Sequence, residues 1–520
     1  MEAQAITLDQ PFHAAYEKFI EITHHLSAMS EGEPTHSDLE AYLETDGREL
    51  LRLLLQEQLD QPGGGRVGDA VCGADGVVRS HKRDHMERGY HSVFGTVRVA
   101  RTGYCQVGVS SLFPRDAQLN LPAQGYSHRL QKRVAAKAAK ISFASVARDL
   151  ETETGVRLGT RQVEQIVVGA AQDFDAFYAQ PCSEEVQQQA AAKPIQVLTF
   201  DGKGVVMRKE GLRKETRKRA EAHAPKAPQG FHRQDTSNRK RMATVAGLYH
   251  IDRHVRTPQM VAQQFAPLRL VPHPRRVTPK PVGKKLWASL EKSMQEVIET
   301  GFAEAKRRDP TQQADWVVLV DGDLTQLDEI EQAARSSGVE VVIILDIIHV
   351  LEYVWKAGKA WLSADDPNLA QWVGDKTLRL LQGEVQSVVR NLRRGATAKR
   401  MTSTQREPID ECAAYLANHA PYLNYPVYLA QGYPIATGVI EGACRHLVKD
   451  RMEITGARWG LKGGEAVLKL RALVINGDLD AYWDFHEQQE YQRNHRAKFA
   501  EMPSAPLPHP HLQLLSRGKA

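Results

Sequence analysis

Ile195-Gln-Val-Leu-Thr-Phe200 is an apolar run that stops abruptly at Asp201. A bounded run of this length, roughly four to eight residues, reads as a buried strand rather than a helix. Outward from it, Met242–Tyr249, Trp316–Val320 and Val341–Leu345 repeat the pattern. Helical spacing appears over Leu286–Arg307 and Gln326–Arg335, and a further strand is expected near Val255–Val261. The order is therefore three strands, helix, strand, helix, strand, an α/β arrangement. From His349 to about Leu429 the pattern is almost wholly helical, and a last strong helix is expected from Thr437 to Met452.

Asp201, Asp321 and Asp346 each come directly after one of these runs. Ligand sites of open α/β sheets lie at the carboxyl ends of strands. One such acid is ordinary turn chemistry; three on one sheet suggest a site. Asp323 competes with Asp321, but Asp321 ends the apolar run. A fourth acid, Glu441, lies in Ala436-Thr-Gly-Val-Ile-Glu-Gly442. At 100° per residue, Arg445, Val448 and Lys449 would share its helix face. Carboxylates without Cys or paired His are hard oxygen donors, suited to Mg²⁺ or Mn²⁺. Two such ions activate an attacking oxygen and stabilise a leaving one at phosphorus.

The charge distribution points the same way. The whole chain of 520 residues carries a net charge of only +5, too mild to name a partner. Arg208–Arg241, however, holds 12 Lys or Arg against four acids, a net of +8 that leaves the other 486 residues at −3. It reads as a flexible basic loop that includes Arg213, Lys214, Arg217, Lys218, Arg239 and Lys240. A second basic loop, Arg269–Lys285, contains no acid. Basic loops beside clustered acids suit a polyanion that must reach metal.

Upstream, residues 8 to 61 read as two helices, the second rich in leucine, facing a core or a second subunit. Val93–Ala100 and Thr102–Val107 read as strands of a small module. Its Cys72, His81, His85, His91 and Cys105 match no standard zinc spacing. Residues 126 to 177 give a three-helix, helix-turn-helix rhythm. Its first helix, from Ser127, is basic; the second is capped by Ser142; the third opens at Thr160 and presents Arg161, Gln162 and Gln165, residue types that reach phosphates and base edges. Ser183–Lys193 reads as a polar link, and the chain from Pro503 as an unstructured tail. Five scattered cysteines without a CxxC pair suit a reducing, cytoplasmic setting. Neither a signal peptide nor a membrane span of about 20 apolar residues is expected.

From about Tyr90 to Leu473 the chain resembles the DDE-type transposases of bacterial insertion sequences, specifically the ISKra-like group related to Mutator-type transposases. The resemblance rests on Phe94-Gly-Thr-Val-Arg-Val, Phe113-Pro-Arg-Asp-Ala-Gln-Leu-Asn-Leu-Pro and Phe200-Asp-Gly-Lys-Gly-Val-Val-Met. Leu319-Val-Asp-Gly-Asp and Thr437-Gly-Val-Ile-Glu-Gly-Ala-Cys-Arg, with Thr455-Gly-Ala-Arg-Trp, complete it.

The resemblance implies an RNase H-like catalytic core with an all-helical insertion, and Asp201, Asp321 and Glu441 as a catalytic triad holding two Mg²⁺ or Mn²⁺ ions. It implies that Asp346-Ile-Ile-His349 supports the active site or contacts DNA near the cleaved bond. Arg445 and Lys449 would position backbone phosphates. Trp459 would either stack on a displaced base or pack in the core. The implied partners are double-stranded DNA, as transposon ends and target, and a second protomer or more, since two ends must be brought together. The implied location is the nucleoid.

The expected organisation is an N-terminal helical region (1–65), a small β-containing module (66–122), a helix-turn-helix-like DNA-binding region (123–180), the α/β core (190–348), the helical insertion (349–435), the last core helix (436–475) and a C-terminal helix and tail (476–520). Two other readings compete. One is a catalytically silent or domesticated DNA-binding protein. The other is a Mg²⁺-dependent phosphotransferase, which explains neither Glu441 nor the basic loops.

Overall fold

A computed structural model describes residues 11–29, 32–61, 65–182, 184–222, 239–265 and 278–501. The expected tail from Pro503 lies outside them, as do residues 223–238 of the first basic loop and 269–277 of the second. The chain forms two compact units, one from residues 1–178 with 477–520, the other from 179–476.

The first unit opens with helices His13–Met29 and His36–Asp60. Two short strands come next, β1 (Val71–Cys72) and β2 (Val78–Arg79), then β3 (His81–Ser92), β4 (Gly95–Gln106) and β5 (Val109–Leu112), antiparallel in the order β3-β4-β5. The two strands expected over 93–107 are thus one, β4. Its partner β3 begins His-Lys-Arg-Asp-His and carries no apolar signal, so sequence periodicity passes over it. Tyr90, Val97, Val99 and Leu121 form a core against which Leu55 and Leu59 pack.

The three-helix region folds as expected: His128–Ala138, Phe143–Thr154 and Thr160–Ala170. Ser127 and Ser142 accept from the amides of Leu130 and Ser145, and Gly155 ends the second helix at φ 69°. The C-terminal helix Leu479–Asn494 completes this unit rather than standing apart. His486 and Arg493 meet Asp173 at 2.7 and 2.6 Å, and Tyr482 Oη donates to Ala170 O.

In the second unit the expected polar link is a short helix, Glu184–Ala191. It leads into a five-stranded mixed sheet of β6 (Ile195–Val206), β7 (Lys240–Ile251), β8 (Val282–Ser289), β9 (Asp315–Val320) and β10 (Val342–Leu345), ordered β10-β9-β6-β7-β8. The first three strands pair antiparallel, while β9 and β10 run parallel to β6.

Three expectations change here. The third strand is β8, inside the second basic stretch, whereas residues near 255–261 enter a helix, Pro258–Phe265. The helix read from Leu286 begins at Met294, where Ser293 and Glu296 form a capping box. β6 continues five residues past Asp201, because β7 pairs with it throughout.

Met294–Arg308 and Leu324–Ser337 come after β8 and β9. After β10 come the helices Ile347–Leu362, Leu369–Leu381, Val385–Ala398, Ser403–Asn418 and Tyr425–Ala430. The edge strand β10 is covered by this helical region: Tyr425 Oη donates to Leu345 O at 2.9 Å and Tyr428 Oη to Ile343 O at 3.4 Å. Helix Leu461–Asn476 packs on β8 and closes the unit.

Candidate active site

Asp201 and Asp321 come from adjacent strands. β9 pairs with β6 as far as Leu319 opposite Thr199, so Asp201 and Asp321 each lie two residues beyond the last parallel pair. Asp321 ends β9 as expected, and Gly322, at φ 97°, turns the chain away from the strand. A Cβ there would stand 2.8 Å from Leu345 Cδ1 and 3.0 Å from Tyr415 Oη, so glycine is required twice over.

The helical region holds this turn by its backbone. Tyr415 Oη donates to Asp321 O at 2.7 Å and His419 Nε2 meets Gly322 O at 2.8 Å, leaving the Asp321 carboxylate free of them. Burial foremost, with the charge of Asp201, raises the Asp321 carboxyl above its usual range. Asp323 works elsewhere, capping helix Leu324–Ser337 by accepting from Gln326 N at 2.9 Å.

Asp346 is fully buried. It caps helix Ile347–Leu362 by accepting from Ile348 N at 2.8 Å, and it accepts from Thr437 N at 3.3 Å and from Thr437 Oγ1. His349 Nδ1 lies 3.3 Å from the same carboxylate. That hydrogen bond, against burial and helped by Asp321, pushes the His349 imidazole up to about 9. Asp346 therefore fastens the strand end to the segment that delivers Glu441, and His349 stands as an imidazolium whose charge reaches Asp321.

The helix expected over Thr437–Met452 forms without a break from Gly438 to Met452, but its middle, Cys444–Lys449, is a π-helical turn between α-helical Gly438–Ala443 and Asp450–Met452. The π turn carries more than 3.6 residues and takes Val448 off the expected face, while the three charged residues stay exposed together. Val448 is buried, while Glu441, Arg445 and Lys449 are exposed. Arg445 approaches Asp450 at 3.8 Å.

The segment docks through Cys444, whose Sγ donates to Asp201 Oδ2 at 3.0 Å. Burial, then the Asp201 charge, raises this thiol far above its usual range. Glu441 lies three residues before Cys444 on the exposed flank.

Among the described residues no three His, Cys, Asp or Glu side chains stand close enough to form a ready metal group. The donor chemistry of Asp201 and Asp321 nonetheless suits a hard divalent ion: the charge of one carboxylate raises the pKa of the other, and a dication neutralises such a pair.

Of the basic residues of the first loop, Lys214, Arg217 and Lys218 are exposed on helix Lys214–Ala222, and Arg213 is exposed between it and a 3-10 turn, Lys209–Gly211, so this half of the expected flexible loop is ordered. Arg217 donates to Glu210 O, and Lys218 lies 3.9 Å from Glu215. Arg239 is half-buried and Lys240, exposed, begins β7.

Trp459 corrects one alternative. It is buried, its Nε1 donates to Met452 O at 2.9 Å, its backbone pairs with Val206 and Arg208, and Arg451 lies over its ring. It is a packing residue with no face left to stack on a base. In the other unit Arg161 and Gln162 are exposed on the third helix, but Gln162 already binds Gly159 N and Tyr126 Oη, at 2.8 Å each.

Sequence reasoning missed Cys444, Thr437, Tyr415 and His419. Only Cys444 had a signal, its position three residues after Glu441. No protein-family model and no curated protein sequence matches this chain.

Proposed function

We propose that the chain is a DDE transposase of an insertion sequence, a nuclease and strand transferase that acts on the terminal inverted repeats of its element. The observation that carries this reading is the convergence of Asp201 and Asp321 on adjacent strands, with the Glu441 segment hydrogen-bonded to Asp201 through Cys444.

The strand order supports an RNase H-like core: a three-stranded antiparallel meander whose first strand is central, then two parallel strands on its other side. The five helices after β10 support the all-helical insertion. The exposed basic helix Lys214–Ala222 and the exposed Arg445 and Lys449 supply a cationic surface for DNA phosphates. Arg161 and the three-helix region are the proposed contacts to the element's ends.

Asp201, Asp321 and Glu441 would hold two Mg²⁺ or Mn²⁺ ions, which when bound activate the attacking oxygen and stabilise the leaving one. The remaining groups prepare the reaction. Tyr415 and His419 fix the Asp321 turn. Asp346 ties the Glu441 segment to the sheet, and the His349 imidazolium offers a donor beside Asp321 for a phosphate oxygen. Hydrolysis at the element's end breaks a phosphodiester and leaves a 3′-OH. That hydroxyl then attacks a target phosphate, and the target's own 3′ oxygen departs.

Alanine at Asp201 and at Glu441 tests the reading. End cleavage should vanish while end binding is retained, and cleavage unchanged in either variant would sink the triad.

A further inference from the structure

We propose that Lys203 is a phosphate-binding residue of this centre, gripping the DNA backbone beside the bond that is cut. The proposal deepens the transposase reading and rests on it. Successive side chains of a strand alternate in face, so Asp201 and Lys203, two apart on β6, point the same way. Both are half-buried, and Gly202 between them is exposed on the opposite side.

This stretch of β6 is open on one flank. β9 leaves it after Thr199, and the next backbone neighbour on that flank is Trp459, bridged to Met207. Asp201 and Lys203 thus lie in a window in the sheet that β9 does not cover. Cys444 lies in the same place: its thiol touches Asp201, and the Lys203 charge acts on it.

Lys203 stands beside Asp201 and Cys444 without a counter-charge of its own. A partly buried ammonium is costly unless an anion or hydrogen-bond acceptors meet it. Three shielded cations of this unit show what such a partner looks like. Lys285 meets Glu304 at 3.0 Å, Lys193 meets Asp252 at 2.6 Å, and Arg241 donates to Leu290 O at 2.7 Å. Among the described residues Lys203 makes neither an ion pair nor a hydrogen bond, not even with Asp201. The missing partner is an anion able to enter an open window beside two carboxylates. A phosphodiester fits, because it brings negative oxygens to Lys203 while its phosphorus faces the acids.

The test compares wild type, Lys203→Gln and Lys203→Arg in two assays, using DNA that carries the sequences flanking the gene. The assays are Mn²⁺-dependent nicking and the salt dependence of binding. Lys203→Gln should nick about 10- to 100-fold more slowly, as expected for a lost charge-assisted contact. Its log–log salt slope should be shallower by about 1. Lys203→Arg should recover most of the rate and the slope, which a purely structural defect would not allow. Wild-type nicking and an unchanged slope in Lys203→Gln would overturn the proposal and leave the transposase reading intact. Neither nicking nor binding by the wild type would overturn that reading, and the proposal with it.

Discussion

Asp321 and Asp346 end neighbouring parallel strands at matching positions, one residue past the paired Val320 and Leu345. In the sequence they look alike: each is an acid closing an apolar run. In the structure they do opposite work. Asp346 is fully buried and accepts from Ile348, from both donors of Thr437 and from His349. Asp321 is half-exposed, and the one hydrogen bond its carboxylate accepts among the described residues is from Asp323 N, at 3.2 Å. One carboxylate is committed to architecture, and the other is kept open for chemistry. The difference comes from how the chain leaves each strand. A helix starts at once after Asp346, whereas Gly322 delays the cap of the next helix to Asp323.

The contrast breaks most sharply at the open acid. Asp321→Asn should reduce DNA cleavage by about 10³-fold or more while leaving the unfolding midpoint close to wild type. A variant that is destabilised but active would reverse the two roles.

Asp346→Ala should do the converse, lowering unfolding free energy by about 3 kcal/mol in urea titrations, because several buried donors lose their acceptor at once. Thr437→Val removes one of those donors and should cost about 2 kcal/mol, the scale of a hydrogen bond to a charged group. If it costs as much as Asp346→Ala, then Thr437 rather than Asp346 organises this junction.

The smallest effect concerns pH. The His349 imidazole titrates at about 9 in the folded chain against an ordinary 6.5. Its contribution to stability is therefore complete below about pH 6.5 and is lost as pH rises through about 9. His349→Gln should flatten the stability profile across that window, and an unchanged slope would remove the imidazolium from the account.

The sheet was legible because four of its strands announce themselves as apolar runs of the right length. β8 was not, since it opens Val-Gly-Lys-Lys, and Lys284 and Lys285 read as a basic loop; in the fold, Lys285 is shielded by its pair with Glu304. β3 was hidden for the same reason.

Asp321 and Asp346 were legible as strand ends, whereas Asp201 lies inside β6, and the division of labour among the acids was not legible. Whether a carboxylate is free depends on Thr437, Tyr415 and His419, which lie about 90 to 100 residues further along the chain. On the face carrying Glu441 only Val448 was misplaced, because a constant 100° step cannot anticipate the π turn at Cys444–Lys449.

The proposed chemistry is DNA cleavage by Asp201, Asp321 and Glu441 with divalent metal. It is tested most directly by incubating the wild-type chain with a duplex that carries the inverted repeats flanking its coding sequence, with Mg²⁺ or Mn²⁺ and then with a chelator. Nicking at the repeat end that leaves a 3′-OH and depends wholly on the metal is the expected result. Binding to the repeats without any metal-dependent nick would contradict it.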